Sequence, residues 1–97
     1  MVRIEQGTLL LQWSSSPMAL YFFDVRDDNR VYPDDQGTEM DGLNEARTEA
    51  FAALADYVKD IRPTEDRRRV AIEVRNENSQ PLLKAVMIFE IEVLGNS

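Results

Sequence analysis

The sequence predicts an α+β domain: an antiparallel sheet of three to four strands, in chain order β-β-α-β-β, packed on one amphipathic helix. Three observations carry this. Between Asp41 and Asp60, apolar residues recur at steps of three and four, which is helical spacing. Segments on either side, Leu20–Arg26 and Arg67–Asn76, alternate apolar and polar residues at period two. The connections are short and rich in Asp, Asn, Pro and Gly, the composition of tight turns. Such a pattern gives one sheet with one face under a helix.

Taken in order, Leu20–Arg26 is the first strand, with Tyr21, Phe23 and Val25 on one face and Phe22, Asp24 and Arg26 on the other. Asp27-Asp28-Asn29 is a turn signal, and Arg30-Val31-Tyr32 returns as a short strand until Pro33 stops it. Residues 33–38 form a loop in which Gly37 supplies a positive φ. Asp41 is the expected N-cap, with Glu45 in the first turn against the positive helix end. Leu43, Ala46, Ala50, Leu54, Tyr57 and Ile61 line the apolar stripe, widened by Ala53 and Val58, and Pro63 follows the helix end. Val70, Ile72 and Val74 form the inner face of the next strand, opposite Ala71, Glu73 and Arg75. Residues 76–80 make a hairpin loop with Asn78 as its expected left-handed residue. The last strand is expected over Leu82–Leu94. Its inner set is Leu83, Ala85, Met87, Phe89, Ile91 and Val93, with Leu82, Lys84, Val86, Ile88, Glu90 and Glu92 facing out. At ~3.3 Å per residue that strand spans about 43 Å, against about 27 Å for the helix, so its end is expected to bend or to pair with another chain.

Residues 1–17 stand apart from this pattern. Thr8–Trp13 has strand character, and Ser14-Ser15-Ser16-Pro17 breaks it. The segment reads either as an extension ahead of a natural initiator at Met18, or as an arm whose Leu9, Leu11 and Trp13 cover an apolar patch. Residues 18–97 form the single domain.

Composition narrows the function. Hydrophobic residues at 43% and charged residues at 30% are ordinary for a globular chain. A net charge of -7 sets the surface against phosphate backbones, so the expectation is no nucleic acid and an attraction toward basic protein partners. With neither cysteine nor histidine, thiol nucleophiles, thiolate metal sites and the commonest general base are missing. No apolar run approaches the roughly 20 residues that span a bilayer, and no signal peptide is recognisable. The reading is cytoplasmic, with no membrane and no cofactor.

The acidic series Asp24, Asp27, Asp28, Asp34, Asp35, Glu39 and Asp41 is the nearest thing to a catalytic or metal-binding motif, and it lacks the alternation of a calcium loop. It reads as a solvated, turn-forming edge. Asp24 and Glu73 are a conceivable carboxylate pair, with no nucleophile or oxyanion donor beside them. Arg67-Arg68-Arg69 with Arg62 and Arg75 is the one basic concentration, and alternation puts Arg67 and Arg69 alone on a shared face, which favours pairing with the chain's own carboxylates or across a dimer. The outer sheet face, with Phe22, Asp24, Glu73, Arg75, Lys84, Val86 and Ile88, is half apolar and uncovered, and is the candidate interaction face.

One combination of motifs resembles a known family. Tyr21-Phe22-Phe23-Asp24-Val25, Asp35-Gln36-Gly37-Thr38-Glu39, Glu45-Ala46-Arg47, Arg67-Arg68-Arg69, Val74-Arg75-Asn76-Glu77 and Pro81-Leu82-Leu83 together are similar to a family of short proteobacterial proteins, frequent in rhizobial relatives, known as a domain of unknown function. The resemblance covers residues 18–94. It departs at Leu20, where a basic residue is usual, and at Asn29, where glycine is common. It implies a domain starting at Met18 and assigns no activity. The expectation is therefore a non-enzymatic, dimerising binding or regulatory module. An antitoxin-like protein that sequesters a basic partner and a carboxylate-dependent metal-binding hydrolase are the alternatives.

Overall fold

The computed structural model describes residues 18–95. Residues 1–17, read above as an extension or a covering arm, lie outside the described residues. The elements are β1 (Ala19–Asp27), β2 (Arg30–Tyr32), β3 (Thr38–Met40), α1 (Leu43–Lys59), β4 (Arg67–Arg75) and β5 (Pro81–Glu90). The fold is α+β with an antiparallel sheet, as the pattern predicts, and the sheet has five strands. The added strand is β3, a three-residue segment inside the expected loop. It pairs with Ala19–Tyr21 of β1, beyond the reach of β2, which pairs with Val25–Asp27. Strand order is β2-β1-β4-β5, and no strand among the described residues pairs with the outer edge of β5.

The helix lies across β4 and β5 and touches β3. Ala46, Ala50 and Leu54 are its buried line, resting on Val70, Ile72 and Val74, with Tyr21 and Met40 completing the cluster. Two alanines at the contact let the helix backbone approach the sheet closely, and Phe23, Val25, Tyr57, Val58, Leu83, Ala85 and Met87 close the margins.

Local chemistry moved several boundaries. The helix N-cap is Gly42, not Asp41, because β3 holds the chain extended through Met40 and leaves two residues for the turn. The Asp41 N–H donates instead to Glu45 Oε1 at 2.8 Å, so Glu45 caps backward from the first turn. Leu43 is on the core side of the helix but is its first residue, and it stays half exposed. In the β4–β5 loop the left-handed residue is Ser79 (φ 62°), not Asn78. Asn76 dictates this, since its Oδ1 accepts the N–H groups of Asn78 and Gln80 at 2.9 and 3.0 Å.

The last strand ends at Glu90 rather than Leu94. β4 begins at Arg67, and after the Ile91 N–H donates to the Asp66 carbonyl at 2.7 Å no neighbour among the described residues continues the ladder. Ile91, Val93 and Leu94 are consequently exposed instead of joining the core, and β5 stops four residues short of its expected end. At the other end of β5 the register shifts between Val74 and Arg75, so that Arg75 faces Pro81 and the extra residue, Leu82, packs with the core instead of facing out.

Candidate interaction face

Strand register decides which side chains share the uncovered side of the sheet. Phe22 is opposite Arg75, and Asp24 is opposite Glu73, which is in turn opposite Lys84. Val86 is opposite Ala71, and Ile88 is opposite Arg69. The seven residues of the candidate face thus lie together on the side away from α1. They divide into two parts of different character.

The β1 half is a closed clasp. Arg75 Nε donates to Asp24 Oδ2 at 2.8 Å, and Arg75 Nη2 donates to the Asp34 carbonyl at 2.8 Å. The same guanidinium lies over the Phe22 ring, 4.5 Å from its centroid. Asp34 does the work of a missing ladder residue between β2 and β3. Its Oδ2 accepts the Phe23 N–H, and its Oδ1 accepts the N–H groups of Gln36 and Gly37, each at 3.1 Å. The Asp34 N–H donates to Asp24 Oδ1 at 2.9 Å. These backbone donors hold the Asp34 carboxyl below its ordinary range against the opposing effect of burial, which is the largest single influence on it. Gly37 closes the loop at φ 76°, with Leu20 and Phe22 so near that a Cβ there would lie 3.0 Å from each.

The β4–β5 half is open. Glu73 accepts Arg26 Nε at 2.9 Å and sits 3.5 Å from Lys84 Nζ, so its carboxyl is lowered mainly by the hydrogen bond from Arg26. Beyond Lys84, Val86 and Ile88 are 43% and 49% exposed, which makes them the accessible apolar part of the face. Asp24 and Glu73 do stand opposite each other, but each is bound to its own arginine.

On the helix side a further polar constellation lies outside the candidate face. Asp27 is buried at 4% exposure. It accepts Arg68 Nε and Nη2 at 2.8 and 2.6 Å and the Tyr57 hydroxyl at 2.6 Å. The bidentate arginine holds the Asp27 carboxyl below its ordinary range, and the Asp27 hydrogen bond pushes the Tyr57 hydroxyl up to about 12. Asp27 therefore corrects the reading of the acidic series as a solvated edge. The signal was present in the alternation, since Asp27 continues the parity of Tyr21, Phe23 and Val25, and Arg68 that of Val70, Ile72 and Val74.

The acidic series as a whole is dispersed. Asp24 and Asp34 belong to the clasp and Asp27 to the helix side. Asp28 occupies the β1–β2 turn at φ 53° and accepts the Arg69 N–H at 3.2 Å. No three acidic side chains among the described residues converge as metal ligands. An open hollow of about 400 Å³ beside that turn interleaves Asp27, Asp28 and Glu65 with Arg30, Arg62 and Arg68, so charges of both signs balance within it. No described helix is long and apolar enough to cross a membrane.

Fold and face define a class: a small α+β domain with a helix on one side of an antiparallel sheet and, among the described residues, no element on the other. Within that class the chain belongs to the family described as Domain of unknown function (DUF6894), whose model matches residues 20–88. Neither the curated proteins nor the solved structures contain a match to it.

Proposed function

We propose that this chain is a non-enzymatic binding module of the cytoplasm that works as a homodimer and offers the outer sheet face to a protein partner. The observation that carries this reading is the open edge of β5 beside half-exposed Val86 and Ile88. A ten-residue edge strand with apolar neighbours, uncovered by any other described element, attracts another chain. Support for a non-enzymatic role comes from the carboxylates, because Asp24, Asp27 and Glu73 are each bound by an arginine. The cysteine-free composition suits a reducing compartment. Light scattering after size exclusion tests the dimer: the expected mass is twice 11.2 kDa, and a monomer at high concentration overturns the reading.

The net charge of -7 favours one second reading, a protein that sequesters a basic partner. It requires a small basic protein encoded beside this one that co-purifies on co-expression; with no such neighbour the reading fails.

A further inference from the structure

The phase of the backbone hydrogen bonds shows what the open edge presents. The Phe23 N–H points away from β4, to Asp34, so Phe23 and Val74 are a non-hydrogen-bonded pair. Val74 must then direct its N–H and C=O toward β5. Alternation makes Leu83, Ala85, Met87 and Phe89 the residues that bond β4, and the Ile91 N–H to Asp66 bond keeps the same phase. Lys84, Val86, Ile88 and Glu90 consequently aim their backbone groups at the open edge. Their side chains are those of the outer face.

These four residues are complementary to themselves in reverse. In an antiparallel pair about a two-fold axis at Met87, Lys84 faces Glu90 of the second copy, and Val86 faces Ile88. On the helix side, Ala85 faces Phe89, a small residue against a large one. Within one chain Glu90 is already opposite Arg67, and Lys84 is opposite Glu73. The joined row therefore reads Arg67, Glu90, Lys84 and Glu73 across four strands, with alternating sign throughout. Moving the register by two residues in either direction sets Lys84 or Glu90 against an apolar residue, and odd shifts mismatch the backbone phase.

We infer that two copies join through β5 in this register, fusing their sheets into one with both helices on the same side. The pairing is isologous, each residue meeting its counterpart's complement. The inference rests on the homodimer reading above and specifies its interface. The outer faces become one continuous two-fold surface, with Val86 and Ile88 of both copies at its centre.

Two measurements on the full chain test it. Hydrogen exchange on the unaltered protein should show the amides of Lys84, Val86, Ile88 and Glu90 becoming protected as concentration rises into the dimer range. Because the chain has no cysteine, single-cysteine variants at positions 85–89 report the register. Met87→Cys should form an intermolecular disulfide on oxidation, since directly opposed non-hydrogen-bonded residues sit ~4.5 Å apart at Cα, within bridging range. Ala85→Cys, Val86→Cys, Ile88→Cys and Phe89→Cys should not. A dimer in which another position links, or in which the four amides exchange as in the monomer, overturns this interface and leaves the dimer reading standing. A monomeric mass removes both. Protection of the four amides in a monomeric particle overturns the inference as well, since the edge is then covered by the same chain.

Discussion

Replacing Asp27 by alanine should be among the most destabilising single changes in the chain outside the apolar core. The carboxylate accepts three hydrogen bonds, two from the Arg68 guanidinium and one from the Tyr57 hydroxyl, at 2.6–2.8 Å and 4% exposure. Its removal leaves a guanidinium and a phenol facing each other beneath the end of the helix. Breaking a buried pair from one side costs about 3–5 kcal/mol. Arg68 keeps 21% of its side chain in water and can turn outward, which lowers the expectation to about 2–4 kcal/mol. For a domain of this size each kcal/mol moves the midpoint by about 4–8 °C, so thermal unfolding followed by circular dichroism should show a Tm lower by about 8–32 °C. The double variant Asp27→Leu with Arg68→Met should recover most of the loss, because it removes both charges and keeps the volume. A loss below about 1 kcal/mol for Asp27→Ala, or a double variant worse than either single one, would refute the reasoning. The pH dependence gives an independent check. The folded pKa of Asp27 is lowered, so its contribution is present above the unfolded value near 4 and is lost as pH falls through the folded one. Asp34 and Glu73 shift the same way, and Asp27→Asn should therefore flatten the acid limb of the stability curve without abolishing it.

Gly37→Ala should cost about 1–3 kcal/mol in unfolding free energy by denaturant titration, because φ is 76° and the new methyl meets Leu20 and Phe22 at 3.0 Å. Ala50→Leu should cost about 1–3 kcal/mol by forcing α1 off β4, whereas Phe51→Ser, one residue along and 65% exposed, should stay within about 0.5 kcal/mol. Tyr57 should ionise near 12; its raised pKa contributes stability that is complete below the unfolded value of 10.0 and lost as pH rises through the folded one. The difference in tyrosinate absorbance between the parent and Tyr57→Phe isolates that titration, and a midpoint at 10 would contradict the hydrogen bond to Asp27.

Side-chain parity made most of the architecture legible. Tyr21, Phe23 and Val25 face the helix, Val70, Ile72 and Val74 sit beneath it, and Ala46, Ala50 and Leu54 meet them. Parity failed where a side chain stands in for backbone. Asp34 occupies a ladder position of β1, and that substitution lets the chain resume pairing as β3. A loop written Pro33-Asp34-Asp35-Gln36-Gly37 carries no periodic trace of it. The end of β5 was illegible for another reason: Ile91 and Val93 continue the alternation, but a strand extends only as far as its neighbour, and the start of β4 sets that limit. The clasp was half legible. Asp24 and Arg75 were both assigned to the outer face, but their pairing depends on Arg75 also reaching the Asp34 carbonyl, a contact across 41 residues of sequence.

The division of the outer face bears on how assembly stops. An exposed edge with apolar side chains invites open-ended stacking, and a lysine on the edge is a common guard against it. Lys84 alone would act as such a guard. Paired with Glu90 six residues on, it becomes selective, penalising shifted registers and satisfying one. In the proposed dimer that register would consume the β5 edge of both copies. Among the described residues, what would remain at the far side of such a fused sheet is β2 and β3, two three-residue strands separated by Pro33 and a loop whose backbone donors Asp34 already engages. An edge so short and interrupted offers little to a further copy, so the proposed association should close at two chains. On this proposal the clasp would shape the quaternary outcome without touching the β5 interface. If Asp34→Ala frees the Phe23 N–H and opens that second edge, the variant should form species larger than a dimer in light scattering, whereas a variant that only loses stability, with no growth in mass, would show that the loop plays no part in limiting assembly.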